Sequence, residues 1–211
     1  MLKKKIENFW YYHKVKVIVG IFAVVFIFLG WKFDKGGLSD LEIGYVIENH
    51  NFILEGKKVE EVKAAFESII HDVDGEKTEK EEKDVLFVPL IGQRIELEFG
   101  LGICHILLLD KQTLTTFINN YFFEPLDSYA EKYNIDISNY PEVIADPLGT
   151  NEPKVYALPV KDMQLLLDMG LPEDFYLAIR LPNEKDKDDV LRVKNAHIVL
   201  DYILSESMSE K

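Results

Sequence analysis

Val17 to Trp31 reads VIVGIFAVVFIFLGW, fifteen residues without a charge. As a helix this run rises about 22 Å, against a bilayer core of about 30 Å. The flanks extend it. Val15 and Phe33 are apolar, and Lys16 and Lys32 can lay their stems along the helix with the ammonium groups at the interface. Phe9, Trp10, Tyr11 and Tyr12 precede the run and Trp31 closes it, the aromatic edging that a membrane–water boundary favours. No side of the helix is polar, which argues against an interfacial amphipathic helix. A buried soluble helix is the bland alternative. A cleaved signal peptide is the stronger rival, but Gly30-Trp31-Lys32-Phe33 offers no small-x-small cleavage site. No cysteine follows the run to take a lipid. Residues 15–33 therefore read as an uncleaved signal anchor.

Lys3, Lys4, Lys5, Lys14 and Lys16 precede the run, and only Lys32 and Lys35 follow closely. Lysine-rich ends stay cytoplasmic, so residues 1–14 are expected inside the cell and everything beyond the anchor outside. Charge divides the same way. Residues 1–33 carry a net +5, the remainder −18, and the whole chain −13. An outer part this acidic has little to neutralise phosphates, so nucleic acid is not an expected partner. It is also repelled by anionic lipid, so the bilayer is a partner only through residues 15–33.

Residues 34–40, DKGGLSD, read as a tether, 41–205 as one α/β domain, and 206–211 as a frayed polar tail. Cys104 is the single cysteine, so the domain forms no intrachain disulfide. Among Ile103, Ile106 and Leu107 it reads as a small buried hydrophobe. His13, His50, His71, His105 and His197 are scattered without metal-ligand spacing. Asp72-x-Asp74-Gly75 opens like a calcium loop, but the glycine comes too early and the bidentate glutamate is missing. No nucleophile elbow, P-loop, dinucleotide-binding glycine pattern or H-E-x-x-H motif occurs. The expectation is a protein without cofactor, metal or catalytic centre.

Apolar spacing predicts the elements. Leu41–Ile47 reads as a strand, and Val59–Ile70 as an amphipathic helix through Val62, Ala65, Phe66 and Ile69. His71–Asp84 is a charged loop. Val85–Ile91 is a strand whose Pro89 suits an end or an edge. Ile95, Leu97 and Phe99 alternate with Glu96 and Glu98, which predicts a strand with one wet face, a short helix being the alternative. Ile103–Leu109 is a strand apolar on both faces. Asp110 is placed to cap a helix carrying Leu114, Phe117, Ile118 and Tyr121 inward. A short helix through Tyr133, an irregular stretch over Ser138–Pro153, a strand over Lys154–Val160 and a helix over Asp162–Met169 follow. Phe175–Leu181 is the last strand. The closing helix from Asp188 carries Val190, Val193, His197, Leu200 and Leu204 on one face, where His197 reads as a satisfied core or flank residue. Strands interspersed with helices predict an α/β layer with helices packed on a mixed sheet.

The run His105–Tyr133, HILLLDKQTLTTFINNYFFEPLDSYAEKY, resembles a passage of bacterial type II extracellular solute-binding proteins. There an apolar strand ends in an Asp, a helix follows, and an aromatic turn buries a Leu and caps the next helix with an Asp. The matching positions are Asp110, Leu126, Asp127 and Tyr129. Lys154–Val160 and Asp174–Asn183 are similar to two further strands of that family, and the closing helix to its terminal helices. The chain is about half the length of the two-lobed family. The resemblance implies a reduced solute-binding-type domain that holds a small molecule or peptide. The alternative is a non-catalytic subunit of a transporter-type membrane complex, without a ligand cleft; a surface enzyme is the third reading. Open α/β sheets bind ligands at strand C-terminal ends, which selects Tyr45, Asp110 and Tyr156 as candidate ligand contacts. Arg180, a base inside an apolar strand, either pairs with a carboxylate or faces an anionic ligand.

Overall fold

A computed structural model describes residues 39–47, 53–73 and 83–209. The expected anchor and most of the tether lie outside the described residues. No helix among the described residues is long and apolar enough to cross a membrane.

The domain is a mixed α/β structure. Its five-stranded sheet runs β2-β1-β3-β7-β6, with β1 at Leu41–Val46, β2 at Val85–Leu90, β3 at Ile106–Leu109, β6 at Leu158–Pro159 and β7 at Tyr176–Ile179. β1 pairs in parallel with β2 and β3, while β7 is antiparallel to β3 and β6. A separate two-stranded ribbon joins β4 (Ile144–Ala145) to β5 (Lys154–Val155). β1, β3 and β7 are buried along their whole length. Both faces are covered, which is why β3 reads as a continuous apolar run, whereas β1 carries the buried Glu42 within it.

β2 is the edge. Leu41 N–H donates to Asp84 O at one end of the ladder and Ile47 N–H to Leu90 O at the other. The period of two then turns the backbone groups of Val85, Phe87 and Pro89 outward. Glu67 Oε1 accepts the Val85 N–H at 3.3 Å, and Pro89 has none to offer, so little of this edge can template another strand.

α1 (Lys57–Ile69) buries Val59, Val62 and Phe66. The long α6 (Lys187–Ser209) packs beside it, with Phe66 edge-on to Tyr202 at 6.0 Å. α2 (Gln93–Leu101) joins β2 to β3, in the direction opposite to the β1–α1–β2 crossover. Right-handed crossovers in opposite directions put their helices on opposite faces of the sheet. Phe99 of α2 stacks on Phe117 of α3 (Lys111–Phe117), centroids 3.8 Å apart, beside Phe122 and Phe123. α4 spans Asp127–Lys132 and α5 spans Gln164–Asp168.

Several expectations change. Ile95–Phe99 is helical, not a strand, and lies within α2. Lys154–Val160 is not one strand: it breaks into β5 and β6, and a 3-10 turn over Val160–Asp162 follows. Asp127 does not cap α4. It is the first helical residue, and its Oδ1 accepts the Val155 N–H at 3.2 Å. Ser39 and Asp40 are buried rather than tethering. Asp40 is a fixture of the domain, its two oxygens accepting Val73 N–H at 2.7 Å and Asp84 N–H at 2.8 Å. α6 reaches Ser209, past the boundary expected at residue 205.

Candidate functional site

Parallel pairing points β2, β1 and β3 the same way. β6, antiparallel to β7, shares that direction. The C-terminal ends of these four strands, with the start of β7, therefore gather at one end of the sheet. Tyr45 lies there on β1 opposite Leu108, Asp110 directly follows β3, Tyr176 pairs with both Leu109 and Pro159, and Lys161 follows β6.

Asp110 is held by local chemistry. It is the N-cap of α3, its Oδ1 accepting Thr113 N–H at 2.7 Å. The cap sets the next residue, Lys111, whose Nζ reaches Glu142 Oε1 at 2.8 Å. Tyr176 Oη donates to the same oxygen at 2.5 Å. Glu142 sits in a 3-10 turn over Pro141–Val143, with only 6% of its side chain exposed. Burial pushes its carboxyl up, but the bonds from Lys111 and Tyr176 outweigh that and hold it below its ordinary value. Both bonds fall on Oε1; Oε2 is buried with no hydrogen-bond partner among the described residues. Tyr140 packs edge-on against Tyr176, centroids 6.2 Å apart, and the Lys161 ammonium lies 4.8 Å from the centre of the Tyr140 ring.

Lys161 opens onto a cavity of about 220 Å³. Tyr133, Asn134, Ile135 and Asp136, from the turn after α4, form one wall; Lys161 and Asp162 form the second, and Leu204 and Ser207 of α6 the third. The turn is anchored to α6 from below. His197 Nε2 shares a hydrogen bond with Glu124 Oε2 at 2.5 Å, and its Nδ1 one with the Tyr129 hydroxyl at 3.0 Å. Burial pushes the Tyr129 phenol up to about 12, so it stays a donor. Asp201 Oδ1 takes Lys132 Nζ at 2.6 Å and the Tyr133 hydroxyl at 2.8 Å. Asp136 is turned by its own loop, Oδ1 accepting Ser138 N–H at 3.0 Å and Oγ–H at 2.6 Å, which holds its carboxyl below the ordinary range. Contact with Tyr140 holds Lys161 above its ordinary value. The cavity thus carries fixed charges of both signs.

Arg180 lies at the other end of the sheet, since its N–H donates to His105 O just before β3. Its Nη2 and Nη1 grip Asp189 of α6 at 2.5 and 3.2 Å, Nε donates to Cys104 O at 3.1 Å, and Nη1 to Leu181 O at 2.7 Å. His105 Nδ1 accepts Glu42 N–H at 3.3 Å, which leaves Nε2 as the proton-bearing nitrogen, 3.4 Å from Asp189 Oδ1. Further along α6, Arg192 Nε donates to Ser39 O at 2.9 Å, and Asn195 bonds both His71 and Asp40. This row stitches α6 to the strand ends. Cys104 is fully buried, and burial together with Glu98 pushes its thiol far above the range of a nucleophile.

The four residues selected from sequence thus divide between the two ends. Tyr45 and Asp110 lie at the C-terminal end, with Tyr45 buried and bonded to the backbone of Leu54. Arg180 lies at the opposite end. Tyr156 is buried between β5 and β6, its N–H donating to Val143 O at 2.9 Å. The cavity residues were not singled out from sequence. Lys161 carried a usable signal, a charge directly after an apolar strand, the same rule that selected Asp110.

No protein-family model matches the chain, and no curated protein does. Among solved structures, a sugar transporter from Rhizobium etli in an open conformation is similar over 56% of this chain and 28% of its own, at 15% identity and a TM-score of 0.32. A likeness of that size carries no argument about fold or function.

Proposed function

We propose that the chain is a membrane-anchored, extracytoplasmic binding module of the solute-binding type, non-catalytic, holding a small polar solute at the C-terminal end of its sheet. The observation that carries this reading is the cavity beside β6, with Lys161 on one wall and Asp136 on another. It lies at the end where open α/β sheets take ligands. The strand ending at Asp110, the buried Leu126 and the 15–33 apolar run support the same reading. At about 220 Å³ the cavity falls below the range of drug-sized pockets, which favours a small molecule over a peptide.

The test is a thermal-shift screen of the full chain in nanodiscs against sugars, amino acids, short peptides and metal ions. A ligand at a hundred times its dissociation constant adds about 2.7 kcal/mol to the folded state. A selective rise is expected. A flat screen on cooperatively folding protein sinks the reading. Protease digestion of intact cells checks the topology: the domain is expected to be cut from outside.

A second reading, a docking subunit of a membrane complex, is favoured by one feature. Leu97 and Leu101 of α2 are 57% and 70% exposed one helical turn apart, flanked by exposed Ile91 and Ile103. Photo-crosslinking from position 97 in cells, yielding one membrane-protein adduct, would support it.

A further inference from the structure

We infer that the cavity takes an amino-acid-sized zwitterion, its carboxylate toward Lys161 and its ammonium toward Asp136. The inference rests on the binding-module reading above and names the ligand class of that site.

Three observations carry it. The first is volume. Pockets for drug-sized ligands run from about 300 Å³ upward. A cavity of about 220 Å³ suits one amino acid better than a disaccharide or a peptide.

The second is the state of the cation. The chain carries net charge −13, yet Lys161 has no carboxylate salt-bridge partner among the described residues. Its ammonium rests on the Tyr140 ring instead. A cation over a ring face is oriented but not neutralised, and it keeps N–H donors for an incoming carboxylate.

The third is the placement of opposite charge. Asp136 and Asp162 share the cavity lining with Lys161 and lie close enough to act on it electrostatically. Asp136 spends Oδ1 on Ser138, while among the described residues the only hydrogen bond at Oδ2 is a long one, 3.5 Å from Asn139. A carboxylate has about four acceptor positions, so Oδ2 can accept an ammonium. The lining sums to one positive and two negative side chains, a balance that disfavours a simple anion. Ile135 and Leu204 supply apolar wall for the part of the ligand between or beyond its charges.

The experiment is isothermal titration of the full chain in nanodiscs with L-alanine, L-leucine, propionate, ethylamine and D-glucose. The amino acids are expected to bind. Propionate and ethylamine, each carrying one of the two charges, are expected to bind at least tenfold more weakly, since a charge-assisted hydrogen bond contributes about 1.5–3 kcal/mol. Lys161→Met and Asp136→Asn are each expected to weaken L-alanine roughly tenfold or more on the same basis. Both positions are exposed, and the melting temperatures of the ligand-free variants check that they fold. Amino-acid binding that Lys161→Met leaves unchanged overturns the inference. So does binding of glucose without the amino acids, which leaves the binding module standing. Silence from every probe overturns the inference alone; the binding-module reading falls only if the broader thermal-shift screen is flat as well.

Discussion

Arg180 and Asp189 meet end-on, the two terminal guanidinium nitrogens on two carboxylate oxygens at 2.5 and 3.2 Å, where the last strand of the sheet hands over to the longest of the described helices. Arg180 is 6% exposed and the Asp189 side chain 14%, so the arginine is cut off from water and the carboxylate is only thinly hydrated. Breaking a buried pair leaves one charge stranded and costs about 3–5 kcal/mol, whereas replacing both partners by apolar groups is often neutral. Asp189→Ala is expected to fall in that range by urea unfolding, and Arg180→Met/Asp189→Leu to recover most of the loss. A double variant as unstable as the single one would contradict this account.

The same carboxylate gives a pH signature. Burial pushes Asp189 up, but the bonds from His105 and Arg180 prevail and hold it far below the ordinary carboxylate range. A depressed folded pKa gives stability that is present above the unfolded value of about 3.9 and is lost as the pH falls below it. Unfolding free energy measured from pH 5 to pH 2 is expected to drop steeply, and less steeply in Arg180→Met/Asp189→Leu.

His105 acts in a higher window. Burial lowers its pKa despite the Asp189 carboxylate, so the folded state holds it neutral while the unfolded chain protonates near its ordinary value of about 6.5. The unfolded state then binds more protons below about pH 6.5, and stability falls on acidification. Between pH 7 and 5 the unfolding free energy is expected to decline, with the slope reduced in His105→Gln. An unchanged slope in that variant would assign the dependence elsewhere.

Much of this architecture was legible because local chemistry and tertiary placement agree. Ile106–Leu109 is apolar throughout because β3 is covered on both faces. Asp110 reads as a cap because an aspartate between a strand and a helix has few better uses. Ile95–Phe99 misled because I-E-L-E-F fits a period of two as well as a helix. The helix buries Ile95 and Glu98 and leaves Leu97 out. A glutamate at an inner position hides the helical stripe; it is there because Glu98 Oε1 accepts the Cys104 N–H at 2.6 Å. Gly92 and Gly102 bracket α2 at positive φ, Gly102 as a left-handed C-cap, a signal the periodicity did not use. The cavity was less legible. Asp136, Lys161 and Leu204 share no motif, and only the docking of α4 on α6 brings them together.

Tyr176 is tied to the ionised Glu142, and its loss removes one of two donors from a buried carboxylate. A hydrogen bond to a charged group contributes about 1.5–3 kcal/mol, so Tyr176→Phe is expected to destabilise by about that much in urea. A double-mutant cycle with Glu142→Leu isolates the pair. Additive effects would mean that the two side chains do not depend on each other.

Gly44 of β1 lies closely packed against the core. A Cβ there would meet Leu90 Cδ1 at 2.9 Å, Cys104 Sγ at 3.0 Å and Leu107 Cδ2 at 3.1 Å. All three are side-chain ends, so the core can yield, but only by moving buried groups in its central layer. Overpacking of this kind costs about 1–3 kcal/mol. Gly44→Ala is expected to fold with that loss, and its Cys104 is expected to react faster with a thiol reagent than in the parent chain, where burial keeps the thiol protonated and inaccessible. Stopped-flow labelling measures both proteins in native buffer. If labelling of Gly44→Ala matched the parent and its stability were unchanged, the close approach of β1 to Leu90, Cys104 and Leu107 would be wrong.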